Sequence, residues 1–514
     1  MQQLEQILAI FVAAVVLAAA ARRVGAPYPV FLALGGALLA FLPGAPSLTV
    51  PPELALALFV APVLLDAAYD TSLRDLKDNW APVSALVIVA VALTTLAVAL
   101  VARALVPAMP WPAAIALGAM VAPPDAVAAT AVLRQVRPPQ RLITILEGES
   151  LLNDASALLV YRLAVGAAAA SSFSFAAVAP TFLVVVVGSI VAGMALGWLI
   201  LRVVERVEHM PTSVILQFCS TYGVWLLAEG VGLSGVLTTV CCAMTVARIG
   251  GANTPAHMRL ASYAVWDTVV FALNVLAFIF IGLQIRPILE SLEPAARGPY
   301  FAVAASVLIT VIAVRFAWHM SYNAVVRWRD RRHGFHPPRP MLRPSVGTGL
   351  VISWAGMRGI VTLAAALALP EGFPYRGLIV LTASAVVLGT LVIQGLTLKP
   401  LLRLLDLRDD NVVGREVAAA RERAVRAGLA SIAADRSPAA DRVREIFGAR
   451  FAGSPAGAQS ARSTEAAPMA HAVRAARQVL IAMRDNEEIG DDAFHRLEQE
   501  LDWLEMAAGG RDQS

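Results

Sequence analysis

The chain has 514 residues, of which 58% are hydrophobic and 15% charged, with a formal net charge of +4. Soluble domains carry about 25% charged residues, so a wholly soluble chain is excluded. The charge is depleted over residues 1–405 and restored from 410 to 514, which divides the sequence into a membrane part and a polar tail. The basic pI of 9.1 would suit a nucleic-acid partner, but the placement of the basic residues explains it instead, and no nucleic acid is expected. Cys219, Cys241 and Cys242 lie in apolar stretches and read as small core residues, not as a disulfide framework or a zinc site.

The first apolar run starts with Glu5 in place of a basic segment and stops at Arg22-Arg23, so it reads as a permanent span and not a cleaved signal. A crossing helix needs about 20 mostly apolar residues. On that scale about 13 spans are predicted. They lie near 5–21, 28–43, 53–71, 82–106, 111–134, 142–168, 176–203, 213–230, 233–249, 261–286, 298–326, 347–369 and 375–402. The loops numbered odd hold roughly 20 basic residues, among them Arg22, Arg23, Arg74, Lys77, Arg141, Arg259 and the run from Arg327 to Arg343. The even loops hold only Arg103, Arg286, Arg297 and Arg376. The positive-inside rule then places the N-terminus outside and the tail in the cytoplasm. The tail reads as helical, interrupted by a Ser/Gly/Ala-rich stretch at 453–468. Both a solvated appendage and a regulatory domain fit it.

A charge at mid-membrane costs at least about 2.5–3.5 kcal/mol. Asp70, Glu229 and Arg248 lie near span ends, where side chains reach the interface. Three other places do not allow that escape. The fifth span contains Ala122-Pro123-Pro124-Asp125-Ala126, and two prolines there free backbone carbonyls, tolerable only where backbone lines a cavity. The sixth span reads Glu147-Gly148-Glu149-Ser150-Leu151-Leu152-Asn153-Asp154. Asp154 lies about 20 Å beyond Arg141 along a helix of 1.5 Å rise, and one helical turn separates Glu149 from Asn153 and Ser150 from Asp154. The twelfth span contains Ser353-Trp354-Ala355-Gly356-Met357-Arg358-Gly359. A mid-span arginine needs an acidic partner, and Glu149 is the expected one.

Interruptions in the fifth and twelfth spans point to inverted repeats whose broken helices cross at the midplane. Oxygen ligands without thiolate or imidazole suit a hard cation such as sodium, or a proton. Burial can raise an aspartate pKa into the physiological range. Proton and cation would then compete for one carboxylate, which suffices for exchange if the site faces one side at a time.

These same residues resemble the monovalent cation:proton antiporter family in its bacterial sodium/proton exchanger branch. The matching stretches are Pro123–Ala131, Thr144–Asp154, Ser353–Gly359 and Gln394-Gly395-Leu396-Thr397-Leu398, with Leu64-Leu65-Asp66-Ala67-Ala68-Tyr69 similar to the family's acidic motif in the third span. The resemblance covers about 5–405. It implies an all-α homodimer of 13-helix protomers in the bacterial inner membrane, with monovalent cations and protons as its partners and no cofactor. The Asn153-Asp154 pair implies electroneutral exchange, sodium or lithium out against protons in, serving pH and sodium homeostasis. Asp154 would bind cation or proton, with Asp125 and Ser150 as accessory ligands to sodium and Asn153 steadying the site. Glu149 and Arg358 would form a structural ion pair, and Asp66 would contribute through water. Two departures stand out. Pro124 falls where many relatives have Thr, and Asp66 falls where Glu is common.

Potassium/proton exchange fits the same residues. A channel would need a filter-like loop of repeated carbonyls, and a symporter further polar or aromatic groups beside Asp154; neither is visible. An intramembrane enzyme is disfavoured, since no Ser/His pair or metal motif accompanies the aspartates and Arg358 would have no role.

Overall fold

A computed structural model describes residues 2–43, 51–133, 135–136, 138–169, 175–250, 255–334, 343–407, 409–451 and 466–509. Among them all regular structure is helical. The chain opens with α1 (Gln2–Val24) and α2 (Tyr28–Ala40), followed by α3 (Pro52–Ala55), a π-helical turn at Leu56–Val60 and α4 (Ala61–Asp70). Pro62 has no N–H for the Leu58 carbonyl four residues back. That carbonyl accepts a bond from the Tyr222 hydroxyl at 3.5 Å instead. The short α5 (Leu73–Asp78) is capped by Ser72, whose Oγ accepts from the Asp75 amide. Next come α6 (Trp80–Ser84), a second π-helical turn at Ala85–Ala90 and α7 (Val91–Leu105). Ser156 Oγ donates to Val87 O in that turn at 3.2 Å. Both π turns thus find partners for loosened backbone groups on neighbouring helices.

Then follow α8 (Trp111–Val121), α9 (Ala126–Leu133), α10 (Gln140–Ala169), α11 (Phe175–Val204), α12 (Met210–Gly230), α13 (Gly235–Ile249), α14 (Ala256–Leu283) and α15 (Ile285–Glu290). The 40-residue α16 (Pro294–His333) leads to α17 (Val346–Trp354), α18 (Ile360–Leu367) and α19 (Arg376–Leu404). Every predicted span coincides with helix among the described residues, and seven helices are long and apolar enough to cross a membrane by length and composition. The fifth and twelfth ranges are broken as expected, between α8 and α9 at 122–125 and between α17 and α18 at 355–359. Glu229 ends α12 and pairs with Arg162 at 2.5 Å, in keeping with a residue at a span end.

The main core joins α2, α7–α10, α14 and α16–α19. The α2 and α14 backbones touch where they cross, because a Cβ on Gly282 would strike Ala33 O and one on Gly36 would strike Ile279 O. A separate apolar cluster packs α4 against α13 around Trp225. The outward faces stay greasy. Leu183, Val184, Val191, Met194 and Trp198 of α11 are exposed, as lipid-facing residues must be.

The remaining helices are α20 (Val412–Ser431), α21 (Pro438–Phe451), α22 (Ala466–Asp485) and α23 (Asp491–Gly509), and they share their own apolar core. One stripe of α23 meets the membrane part. Arg259 at the start of α14 donates to Asp502 Oδ2 at 2.7 Å and pairs with Glu498 at 3.3 Å, all three buried. Gln140 at the start of α10 donates to Asp492 at 2.6 Å, and Arg74 of α5 pairs with Glu416 of α20 at 2.8 Å. Arg484 of α22 donates to Ala247 O of α13 at 2.7 Å. The His495 ring stacks on Tyr69, with its Nδ1 3.4 Å from the Tyr263 hydroxyl.

Arg259→Leu would leave Glu498 buried without its guanidinium and Asp502 with only Arg477 of the tail, at 2.7 Å, a loss of up to about 3–5 kcal/mol for a broken buried pair. Hydrogen exchange across 491–505 should accelerate sharply in that variant, and unchanged protection would refute the docking role. Burial, aided by Asp75 and Asp70, pushes the Asp492 carboxyl up to about 6. The docked tail therefore retains a proton that a released tail gives up. Docking is fully supported below the ordinary carboxylate value near 3.8 and weakens as pH rises through about 6. Exchange protection of α23 measured from pH 4.5 to 7.5 should fall across that window in the parent and stay flatter in Asp492→Asn.

Candidate cation site at the crossing of the broken helices

The two interruptions lie against each other. Asp125 N donates to Met357 O at 2.7 Å, and Thr362 Oγ donates to Met120 O at 3.0 Å. Helix ends that meet inside a membrane expose carbonyls at their C-termini and amides at their N-termini. Arg358 serves the first kind. Its Nε donates to Val121 O at 2.8 Å and its Nη2 to Ala122 O at 3.0 Å, at the end of α8, while Nη1 reaches Gly356 O just past α17. Asp125 serves the second kind, its Oδ1 accepting from the Val127 amide at 2.9 Å at the start of α9. Gly359, the N-cap of α18, lies so near that a Cβ there would collide with the Asp125 carboxylate.

This arrangement corrects one expectation. Glu149 does not pair with Arg358. It takes both guanidinium nitrogens of Arg315 on α16, at 2.5 and 2.8 Å, all buried. Arg315 also donates to Ile352 O at 3.1 Å. Arg315 and Arg358 flank Gly356, where a Cβ would touch both side chains, so two guanidiniums compete for one region. Arg358 is held by carbonyls of the broken helices, and Arg315 is left to neutralise Glu149. The missed signal was an arginine deep in the apolar 298–326 range, as anomalous by cost as Arg358.

Ser150 on α10 accepts the Ala126 amide at 3.1 Å, tying α10 to the start of α9. Its hydroxyl hydrogen remains to donate. Asp154, one turn further along α10, is 7% exposed and close enough to Asp125 for their charges to interact. Asn153 is fully buried, with neither side-chain polar atom hydrogen-bonded among the described residues. It adjoins the aspartate in the chain, and no hydrogen bond among the described residues fixes its side chain.

A cavity of about 350 Å³ gathers Asp66, Pro124, Asp125, Ser150 and Asp154. It extends past Asp70, Glu147 and Asp267 toward the face where the tail docks. Six carboxylates line it, and no Lys, Arg or His does among the described residues. Walls of one sign in a low-dielectric setting concentrate counter-ions. Carboxylate and hydroxyl oxygens at its inner end are the donor set of a hard cation. Asp66 lies on α4 and Asp267 on α14, so helices other than α10 contribute acids to the wall too.

Residues 8–404 match the family described as sodium/hydrogen exchanger, transmembrane. The chain is 32% identical over 420 residues to an uncharacterized Na+/H+ exchanger of Mycobacterium tuberculosis, covering 79% of this chain and 75% of that one. It is 29% identical over 388 residues to the sodium, potassium, lithium and rubidium/H+ antiporter of Bacillus subtilis, covering 72% and 57%. The fold is similar to the solved structure of the sodium proton antiporter MjNhaP1 from Methanocaldococcus jannaschii at pH 8, with a TM-score of 0.58, 18% identity and coverage of 79% of this chain and 100% of that one.

Arg315→Met should cost about 3–5 kcal/mol by leaving Glu149 buried and unpaired, read as a large fall in thermal unfolding temperature. Adding Glu149→Gln should recover much of it. Failure of the double variant to recover any stability would show that Arg315 acts through something other than Glu149.

Proposed function

The chain belongs to the sodium/hydrogen exchanger family of multi-pass membrane transporters, and from that premise we propose that it carries out electroneutral sodium (or lithium)/proton antiport at Asp154. One observation carries this reading: Asp154 sits beside Asp125 and Ser150 at the inner end of a cavity lined by carboxylates and, among the described residues, by no basic group. The chemistry follows from the charge count. Glu149 is neutralised by Arg315, and the neighbour of Asp154 is the uncharged Asn153. A single exchangeable charge at Asp154 is then compensated by either one proton or one sodium ion. Swapping them leaves the site's charge unchanged, so the loaded states cross the membrane field equally.

In this reading a cation enters the acidic cavity, displaces the proton from Asp154, and takes oxygen ligands from Asp154, Asp125 and Ser150, with Asp66 contributing from α4. The site then opens to the other face, where a proton replaces the cation. The positive-inside bias puts the tail and the cavity mouth in the cytoplasm of a bacterial cell, which makes export of sodium against proton entry the working direction and pH and sodium homeostasis the physiological use. The transport unit is residues 1–405, the tail 410–514 is a regulatory unit, and the assembly is a homodimer. The Bacillus subtilis relative, named for sodium, potassium, lithium and rubidium, favours a second reading in which potassium is also carried.

The test uses purified protein in vesicles with an acidic interior and an entrapped pH dye. Sodium or lithium added outside should alkalinise the interior and choline should not, with the rate unaffected by clamping the potential. Asp154→Asn should insert normally and abolish the response. Retained exchange in that variant would sink the assignment, and a response to potassium alone would move the substrate to the second reading.

A further inference from the structure

A second polar cavity, of about 560 Å³, lies between the start of α10, the last third of α16 and the start of α17. The acidic site does not use it. At its deep end stand His319 and Asn323, 3% and 7% exposed. Asn323 Nδ2 donates to Ser345 O at 3.0 Å, but Asn323 Oδ1 and His319 Nδ1 have no hydrogen-bond partner among the described residues. Both atoms are themselves covered by protein, so they do not face what fills the cavity. Nearer the mouth the cavity is lined by Arg141, Arg329 and Arg343, with Asp78 and Asp330 beside them. Tyr322, His333 and Thr348 add further polar groups, and Leu142, Ile145, Val326 and Ile352 supply apolar wall.

The depth of this cavity in the bilayer follows from α16. Forty residues at 1.5 Å rise make about 60 Å, twice a hydrocarbon core of about 30 Å. The helix therefore leaves the core before its basic end. Two exposed tryptophans adjoin the lining: Trp80 beside Ala81, and Trp328 beside Arg329, at 67% and 52% exposure. The Arg332 guanidinium lies over the Trp328 ring at 4.8 Å. Exposed tryptophan with arginine marks the headgroup level of a membrane, and basic pockets between spanning helices on the positive side take anionic headgroups.

The geometry points to a binding site for the phosphodiester headgroup of an anionic glycerophospholipid in the cavity between α10, α16 and α17. The guanidiniums of Arg141, Arg329 and Arg343 face the phosphate. The hydroxyls of a glycerol-type headgroup suit the carboxylates of Asp78 and Asp330, which a bare phosphate would meet only with repulsion. The acyl chains run out between the two tryptophans along the apolar wall. The site is coupled to the transport core by position. His319 is one helical turn from Arg315, which holds Glu149 on the helix that carries Asp154.

Thermal unfolding of the full-length protein in detergent tests this without any transport measurement, so its failure and that of the exchange reading are separable. Short-chain phosphatidylglycerol should raise the unfolding temperature saturably, by about 3–6 °C. Phosphatidylcholine of the same chain length and inorganic phosphate should not. Arg329→Gln with Arg343→Gln should lose the shift. Arg331→Gln, on the same helix end but outside the cavity lining, should keep it. An equal shift with phosphatidylcholine, or retention of the shift in the double variant, would reduce the effect to general solvation by lipid. A matching shift with phosphate alone would make this a free-anion site, and no shift with any probe would leave the cavity merely hydrated; either result overturns the lipid assignment.

Discussion

Breaking a helix in the middle of a membrane frees backbone groups that no lipid can satisfy, and the rest of this structure depends on how that debt is met. Carbonyls at the end of α8 and just past α17 are gathered by one guanidinium, Arg358. Amides at the start of α9 are met by the Asp125 carboxylate and the Ser150 hydroxyl. Each charge thus lies at the helix end of opposite partial charge. Asp125 can stay at this depth without an arginine beside it, because peptide dipoles do that work. A carboxylate held by dipoles remains open to a mobile cation in a way that a carboxylate clamped by a guanidinium does not.

The distribution of acids follows the same division. Glu149, Asp491 and Asp502 are buried against arginines and tie one element to another. Six further acids line one cavity, and among the described residues no basic side chain lines it with them. The chain is rich in arginine, with 41 basic residues in all, so the exclusion is not for want of cations. A cavity so lined raises the local concentration of protons and small cations alike, and in the proposed mechanism the choice between them falls to the oxygens at Asp154, Asp125 and Ser150.

Much of this was legible from residue order because hydropathy and backbone chemistry are local. The apolar runs mark the helices, Pro123-Pro124 mark the break before α9, and Gly356 and Gly359 bracket the break before α18. Helical spacing set Ser150 one turn from Asp154, and the family resemblance joined Asp125 to them. Pairing was the part that local reasoning could not settle. Arg315 lies 166 residues from Glu149, and only the packing of α16 against α10 and α17 decides that it, and not Arg358, reaches the acid. The same holds for the tail, whose helical character was readable but whose partners Arg259, Gln140 and Arg74 belong to three helices far apart in the chain.

The tail's position has an energetic consequence for the cavity. Its bonds to Gln140 fall on α10, which carries Asp154, and its bonds to Arg259 and Ala247 O fall on α14 and α13. Any displacement of α10 against α14 must carry the tail with one wall and break its bonds to the other. The Arg259 cluster is buried, so breaking it strands carboxylates in a dry seam, whereas the Gln140–Asp492 contact hinges on a carboxyl whose protonation changes near pH 6. The weaker grip is therefore the one on α10, and it loosens with rising pH, while the grip on α14 does not depend on that proton.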